Sequence, residues 1–244
     1  MRNLKVIMAY RGTAYHGFQR QENAVTVQQI VEECVSRVLD TKTQIIGCSR
    51  TDTGVHANMF CFSLKTERTI PTRNFLRGVN GYLPPDISLL SCEDVDDDFH
   101  ARYSCKGKEY MYLIHCNESK NPFAEDLQYH YRRSMDVQLM QRAADYLVGM
   151  HDFRSFCSTH TDKVDTTRTI YSIDVKKEED LVKVLVKGDG FLYNMVRIIV
   201  GTLIYVNEGR IKPEEIPEII KSADRERAGK TAMAHGLYLN RVFY

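Results

Sequence analysis

Between two apolar stretches the chain reads Ser49-Arg50-Thr51-Asp52-Thr53-Gly54-Val55-His56-Ala57, with an arginine, an aspartate and a histidine inside seven positions. A carboxylate beside a cation stays ionised, the state in which it acts as a nucleophile. Thr, Asp and Gly are also common turn formers, and an Asp in a turn ordinarily bonds its own backbone. Arg50 is what a plain hairpin does not require, and it keeps the chemical reading open beside the turn. Two other positions stand out. Tyr110 and Tyr112 in Lys108-Glu109-Tyr110-Met111-Tyr112 share one face of a strand, where they either pack a core or form a platform for a stacked base. Arg197 lies in the apolar run Phe191 to Gly201. Buried there, its guanidinium needs a carboxylate, and Asp52 is the partner of choice; the alternative is an arginine whose stem lies on the surface.

Other chemistry finds little footing. The seven cysteines are scattered singly with no C-x-x-C, which reads as reduced thiols in a cytosolic protein. The eight histidines form no H-E-x-x-H or Cys/His ligand pattern, so no metal is expected. No apolar leader opens the chain and no run approaches membrane-spanning length, so the cytoplasm is the expected compartment and no membrane partner is expected. A net charge of +1 over 244 residues argues against a bulk polyanion binder. The distribution argues otherwise. Residues 42–82 hold Lys42, Arg50, Lys65, Arg68, Arg73 and Arg77 against Asp52 and Glu67, whereas Asp86 to Asp98 carries six acids and no base.

The elements that must position these groups follow from periodicity. Leu4–Tyr10 reads as a strand, and Thr26–Asp40 as a helix with Val27, Ile30, Val31, Cys34, Val35, Val38 and Leu39 on one face. Thr26 and Gln29 make a capping box. Strands at Gln44–Cys48 and Asn58–Lys65 flank the Asp52 loop, a helix runs from Pro71 to about Leu83, and Ile87–Val95 is a strand. The second half repeats this β-α-β-β-α-β order: strand Lys108–Cys116, a helix capped by Asp136 that carries Val137, Met140, Ala144, Leu147 and Val148, strands Thr167–Lys177 and Leu181–Lys187, helices Phe191–Val206 and Pro213–Ala223, and strand Leu237–Tyr244. The expected fold is α+β: two split-βαβ, ferredoxin-like subdomains, 1–104 and 105–244, forming a largely antiparallel sheet with helices packed on it and a central cleft.

Arg50 to Ala57 resembles the R-T-D-x-G-V-H-A signature of the TruA family of tRNA pseudouridine synthases. The likeness continues in order through Tyr10 to Gln21, Phe99-His100-Ala101-Arg102-Tyr103, Lys108 to Tyr112, His151-Asp152-Phe153, Arg168-Thr169-Ile170, Phe191 to Gly201 and Gly236-Leu237-Tyr238-Leu239. It implies that Asp52 is the nucleophile, that Tyr110 stacks on the target uracil, that Arg50 holds the RNA open, that Arg197 pairs with Asp52 and that Leu237 adds an apolar wall. It further implies a homodimer that isomerises uridines 38, 39 and 40 of the tRNA anticodon arm without metal or organic cofactor. Phe18, Ser49 and Thr53 depart from the family's usual Trp, Gly and Ala.

The residues fit that chemistry in outline. Isomerisation breaks an N-glycosidic bond, turns the base and rejoins it through carbon, so a carboxylate acts at the sugar as in retaining glycosidases. The base must first leave its stack, for which an arginine and an aromatic cover are apt. Two other readings compete: a non-catalytic tRNA-binding protein or chaperone, which would not need Asp52, and a glycosidase, which would need a second carboxylate that the motifs do not offer.

Overall fold

A computed structural model describes residues 1–158 and 165–244. Their contacts gather into two compact units: Met1–Lys106 with Tyr238–Tyr244, and Gly107–Leu237. Each is α+β with a largely antiparallel sheet, as the sequence led one to expect. In the first unit the order is β1 (Arg2–Tyr10), α1 (Val27–Leu39), β2 (Ile46–Gly47), β3 (His56–Thr66), α2 (Thr72–Tyr82) and β4 (Ile87–Val95). β1 pairs antiparallel with β3 on one side and β4 on the other. Alternation along β1 buries Leu4, Val6, Met8 and Tyr10, and β3 adds Phe60, Phe62 and Leu64. Thr26 Oγ1 accepts from Gln29 N at 3.4 Å, which starts α1, but the return half of the expected capping box is absent because the Gln29 amide donates to Glu33.

Two features of this unit have no periodic signal. Glu32 on α1 is buried, where it accepts from Ile45 N at 3.1 Å and from the Gln28 amide and pairs with Arg20 at 3.0 Å. β3 is covered on both faces, so it does not alternate. The chain after β4 doubles back over its second face: Ala101 N donates to Ser63 Oγ, and the Tyr244 hydroxyl donates to Ala101 O at 2.7 Å.

The second unit runs β5 (Gly107–Cys116), β6 (Tyr129–Tyr131), α3 (Val137–Asp145), β7 (Gly149–Asp152), β8 (Thr167–Glu178), β9 (Leu181–Gly188), α4 (Met195–Asn207) and α5 (Ile216–Ser222). Its strands lie in the order β5-β9-β8-β7, with β6 parallel to the end of β5. β6 and β7 escape the sequence reading because three or four mixed residues carry no period. Asp136 caps α3 by accepting from Gln138 N and Leu139 N, both at 3.0 Å. The helix stops at Asp145, so Leu147 and Val148 lie beyond it. α4 starts four residues later than its apolar run suggests, because Asn194 takes a left-handed φ of 60° and leaves Phe191–Tyr193 as loop. The last strand, β10 (Leu237–Phe243), pairs in parallel with β3 through Tyr238–His56 and Leu239–Ala57. Tyr238–Tyr244 therefore join the first unit, although the chain order sets them in a 105–244 block. Parallel pairing between segments so far apart leaves no local trace.

No helix among the described residues is long and apolar enough to cross a membrane.

Candidate active site

The Asp52 loop is fastened on both flanks. On one side the Tyr10 hydroxyl lies 2.8 Å from Thr51 Oγ1, and Phe18 N donates to Thr51 O at 3.1 Å. On the other, Gly12 N donates to His56 Nδ1 at 2.9 Å. Between them, Val55 N donates to Asp52 O at 3.1 Å and closes the turn. The 12–18 segment presses backbone on backbone against the loop. A Cβ at Gly12 would overlap the Val55 carbonyl, and one at Gly17, whose φ is 82°, would stand 2.5 Å from Thr51 O. Thr51, Val55 and His56 are buried while Asp52 is only half-buried, so a fully fixed backbone offers one carboxylate partly to solvent.

Arg50 is exposed, and its guanidinium makes no hydrogen bond or ion pair with the described residues. The electrostatic support for Asp52 expected from its neighbour is therefore not a contact, and the guanidinium is free to meet a ligand. Of the departures from the family pattern, Phe18 is a core wedge, buried and stacked on Phe60 at 4.3 Å. Ser49 Oγ bonds the Arg50 carbonyl, and Thr53 is exposed at the tip.

The basic and acidic segments are spent unequally. Arg68 closes α1 through Leu39 O and Asp40, so it serves the fold. Arg73 and Arg77 are exposed on α2. Among the acids, Asp94 is held by Arg2 in a two-pronged pair at 2.8 Å that keeps its carboxyl below the usual range, and Glu93 pairs with Lys5. Asp86 accepts from the Tyr15 hydroxyl at 2.7 Å; burial, then that bond, push the Tyr15 phenol well up.

In the second unit the two same-face tyrosines differ in kind. Tyr112 is wholly buried, donates to Met233 O at 2.8 Å and has its ionisation pushed far up by burial: it is core. Tyr110 is 7% exposed and meets the Phe191 ring edge-on at 5.1 Å. Arg197 occupies the first turn of α4, half-buried, donating through Nε to Ala232 O and through a terminal nitrogen to Asn194 Oδ1, both at 2.7 Å. A guanidinium added to the positive end of a helix makes a spot that favours an anion. The segment that receives it packs directly on the helix, because Gly201 leaves no room between α4 and the Lys230 carbonyl for a Cβ. Leu237 is buried at the head of β10. Reading by residue type names His56 without giving it this role, and misses the Gly12 and Gly17 supports and the Ala232 carbonyl. The two glycines ahead of the loop are the signal that could have found the first pair.

The first unit thus offers an aspartate on a pinned loop, and the second an arginine at a helix start. A family model described as tRNA pseudouridine synthase matches residues 6–104 and 143–244. The chain is 43% identical to tRNA pseudouridine synthase A of Thermoanaerobacter sp. (strain X514) and 46% identical to that of Acetivibrio thermocellus, in each case over 244 residues and 100% of both chains. The Brevibacillus brevis protein of the same description is 45% identical over the same span. The chain belongs to the tRNA pseudouridine synthase family, a family of isomerases. A solved Cbf5-Nop10-Gar1 complex overlaps 97% of this chain and 48% of its own at a TM-score of 0.40 and 14% identity, too loosely to bear on the fold.

Proposed function

We propose that the chain converts uridine to pseudouridine in tRNA, at position 38, 39 and/or 40 of the anticodon arm, with Asp52 as nucleophile. Family membership supplies the reaction class. The observation that carries the assignment is the Asp52 loop itself, a half-buried carboxylate on a backbone pinned at both flanks. In the reaction the C1′–N1 bond breaks and the uracil leaves with the electron pair. The base then turns, C5 bonds to C1′, the C5 proton departs and N1 gains one. Asp52 serves by attacking C1′ and leaving again, or by assisting elimination in the sugar. A loop that cannot move keeps the carboxylate in line through both halves of this sequence.

The reading gives the other residues supporting parts. Arg50, whose guanidinium has no partner among the described residues, fills the place of the flipped-out base. Tyr110 stacks on the detached uracil, with Phe191 steadying its ring, and Leu237 adds apolar wall. Arg197 pairs with Asp52 and keeps it ionised. No cofactor is required, and the enzyme works as a homodimer in the cytoplasm. The test is to incubate an unmodified tRNA transcript with wild type and Asp52→Ala and map pseudouridine chemically. Wild type is expected to modify the anticodon arm, and Asp52→Ala to lose at least about 10⁴-fold in rate while still binding tRNA. Binding by the wild type without any product would sink the enzymatic reading in favour of a tRNA-binding protein, and product from Asp52→Ala would sink the nucleophile.

A further inference from the structure

His56 is wholly buried, yet its ring does more than fill space. An amide N–H can only donate, so the 2.9 Å contact from Gly12 N makes Nδ1 an unprotonated acceptor and leaves the ring proton to Nε2. The ring packs on Tyr238 at 4.7 Å, which fixes its plane. What it holds is the hinge of the loop support. Gly12 lies so close to the Val55 carbonyl that no Cβ fits, its own carbonyl accepts from Tyr15 N, and the preceding residue, Arg11, donates through its amide to Asp86 O. The same stretch ends at Phe18 N, which donates to Thr51 O. Residues 12 and 18 thus grip the chain one position before Asp52 and three positions after it. From β3, the His56 side chain bonds this stretch directly.

We propose that His56 is a positioning residue for the reaction: its Nδ1 holds the Gly12 amide, and through that amide keeps the Val55 side of the turn, and hence the Asp52 carboxylate, in its reactive place. This rests on Asp52 as nucleophile. A residue that only packed would need volume; this one needs an acceptor at the δ position. An apolar ring of the same size would leave a buried donor orphaned, and the 12–18 stretch would have to move to satisfy it.

The position of the acceptor makes the test. Asn places a carbonyl oxygen where Nδ1 stands, whereas Gln places it one bond farther out. Rates on a tRNA transcript carrying uridines at 38, 39 and 40 are compared for wild type, His56→Asn, His56→Gln and Asp52→Asn, with thermal unfolding of each. His56→Gln is expected to lose kcat by about 10²-fold with KM for the transcript nearly unchanged. His56→Asn is expected to recover most of that loss despite its smaller volume. Equal losses in Asn and Gln, or a loss confined to KM, would overturn the positioning role and leave His56 as packing. Should His56→Gln show no cooperative unfolding, His56→Ala makes the same comparison with His56→Asn. Product from Asp52→Asn would instead remove the nucleophile assignment, whatever the His56 pair does.

Discussion

The loop carrying Asp52 and the start of α4 carrying Arg197 both place a charged side chain by pressing backbone against backbone, but with different consequences. At the loop the close approaches, at Gly12 and Gly17, lie between surface-reaching segments joined by hydrogen bonds to Thr51 and His56. At α4 the close approach, at Gly201, lies inside a helix whose face is almost wholly buried. The first arrangement fixes the geometry of a loop whose tip, Thr53, is exposed. The second makes the position of Arg197 inseparable from the packing of its unit.

The largest expected effect is on the second. Gly201→Ala would drive a Cβ into the Lys230 carbonyl, and neither the buried helix nor the packed segment can give way freely. Overpacking of this kind costs about 3 kcal/mol, which is roughly 6–12 °C in a chain of this size. Thermal unfolding measures it, and an unchanged midpoint would show that the 229–232 segment is not held on α4. Gly12→Ala is the counterpart. Its clash is with the Val55 carbonyl in the loop, so the loss should fall on kcat, about 10²-fold, with a smaller shift in midpoint than Gly201→Ala. A Gly12→Ala enzyme with normal turnover and a collapsed midpoint would erase the distinction between the two regions.

The contrast also explains what the sequence could disclose. Asp52, Arg50, Tyr110 and Arg197 are visible because each is a polar or aromatic type where an apolar or turn residue is cheaper. The strands and helices that hold them are visible through periods of two and 3.6, down to the Asp136 cap. The supports are not. An N–H of Gly12 or a carbonyl of Ala232 is the same group in every residue, so its role depends on where the chain brings it. The late start of α4 has a like cause: one Asn at φ 60° overrides an apolar run that reads as helix. The parallel pairing of β10 with β3 joins segments with no shared local pattern.

Acid should act on the α4 side through His235. His235, half-buried at the end of the segment packed on α4, has its ionisation pushed below the ordinary histidine value by burial first, with Arg197 adding to it and Asp126 opposing. The unfolded chain therefore takes up this proton at a higher pH than the folded one. Stability from this group is fully present above the unfolded value, near 6.5, and is lost as pH falls from there through the lower folded value. The midpoint of wild type should drop between pH 7.5 and 5.5 more than that of His235→Gln, by about 1–2 °C, the side chain being too exposed for more. Equal drops in both proteins would assign the acid sensitivity to another group. A smaller drop in wild type would mean that the folded state holds the proton more tightly, with Asp126 outweighing burial and Arg197 together.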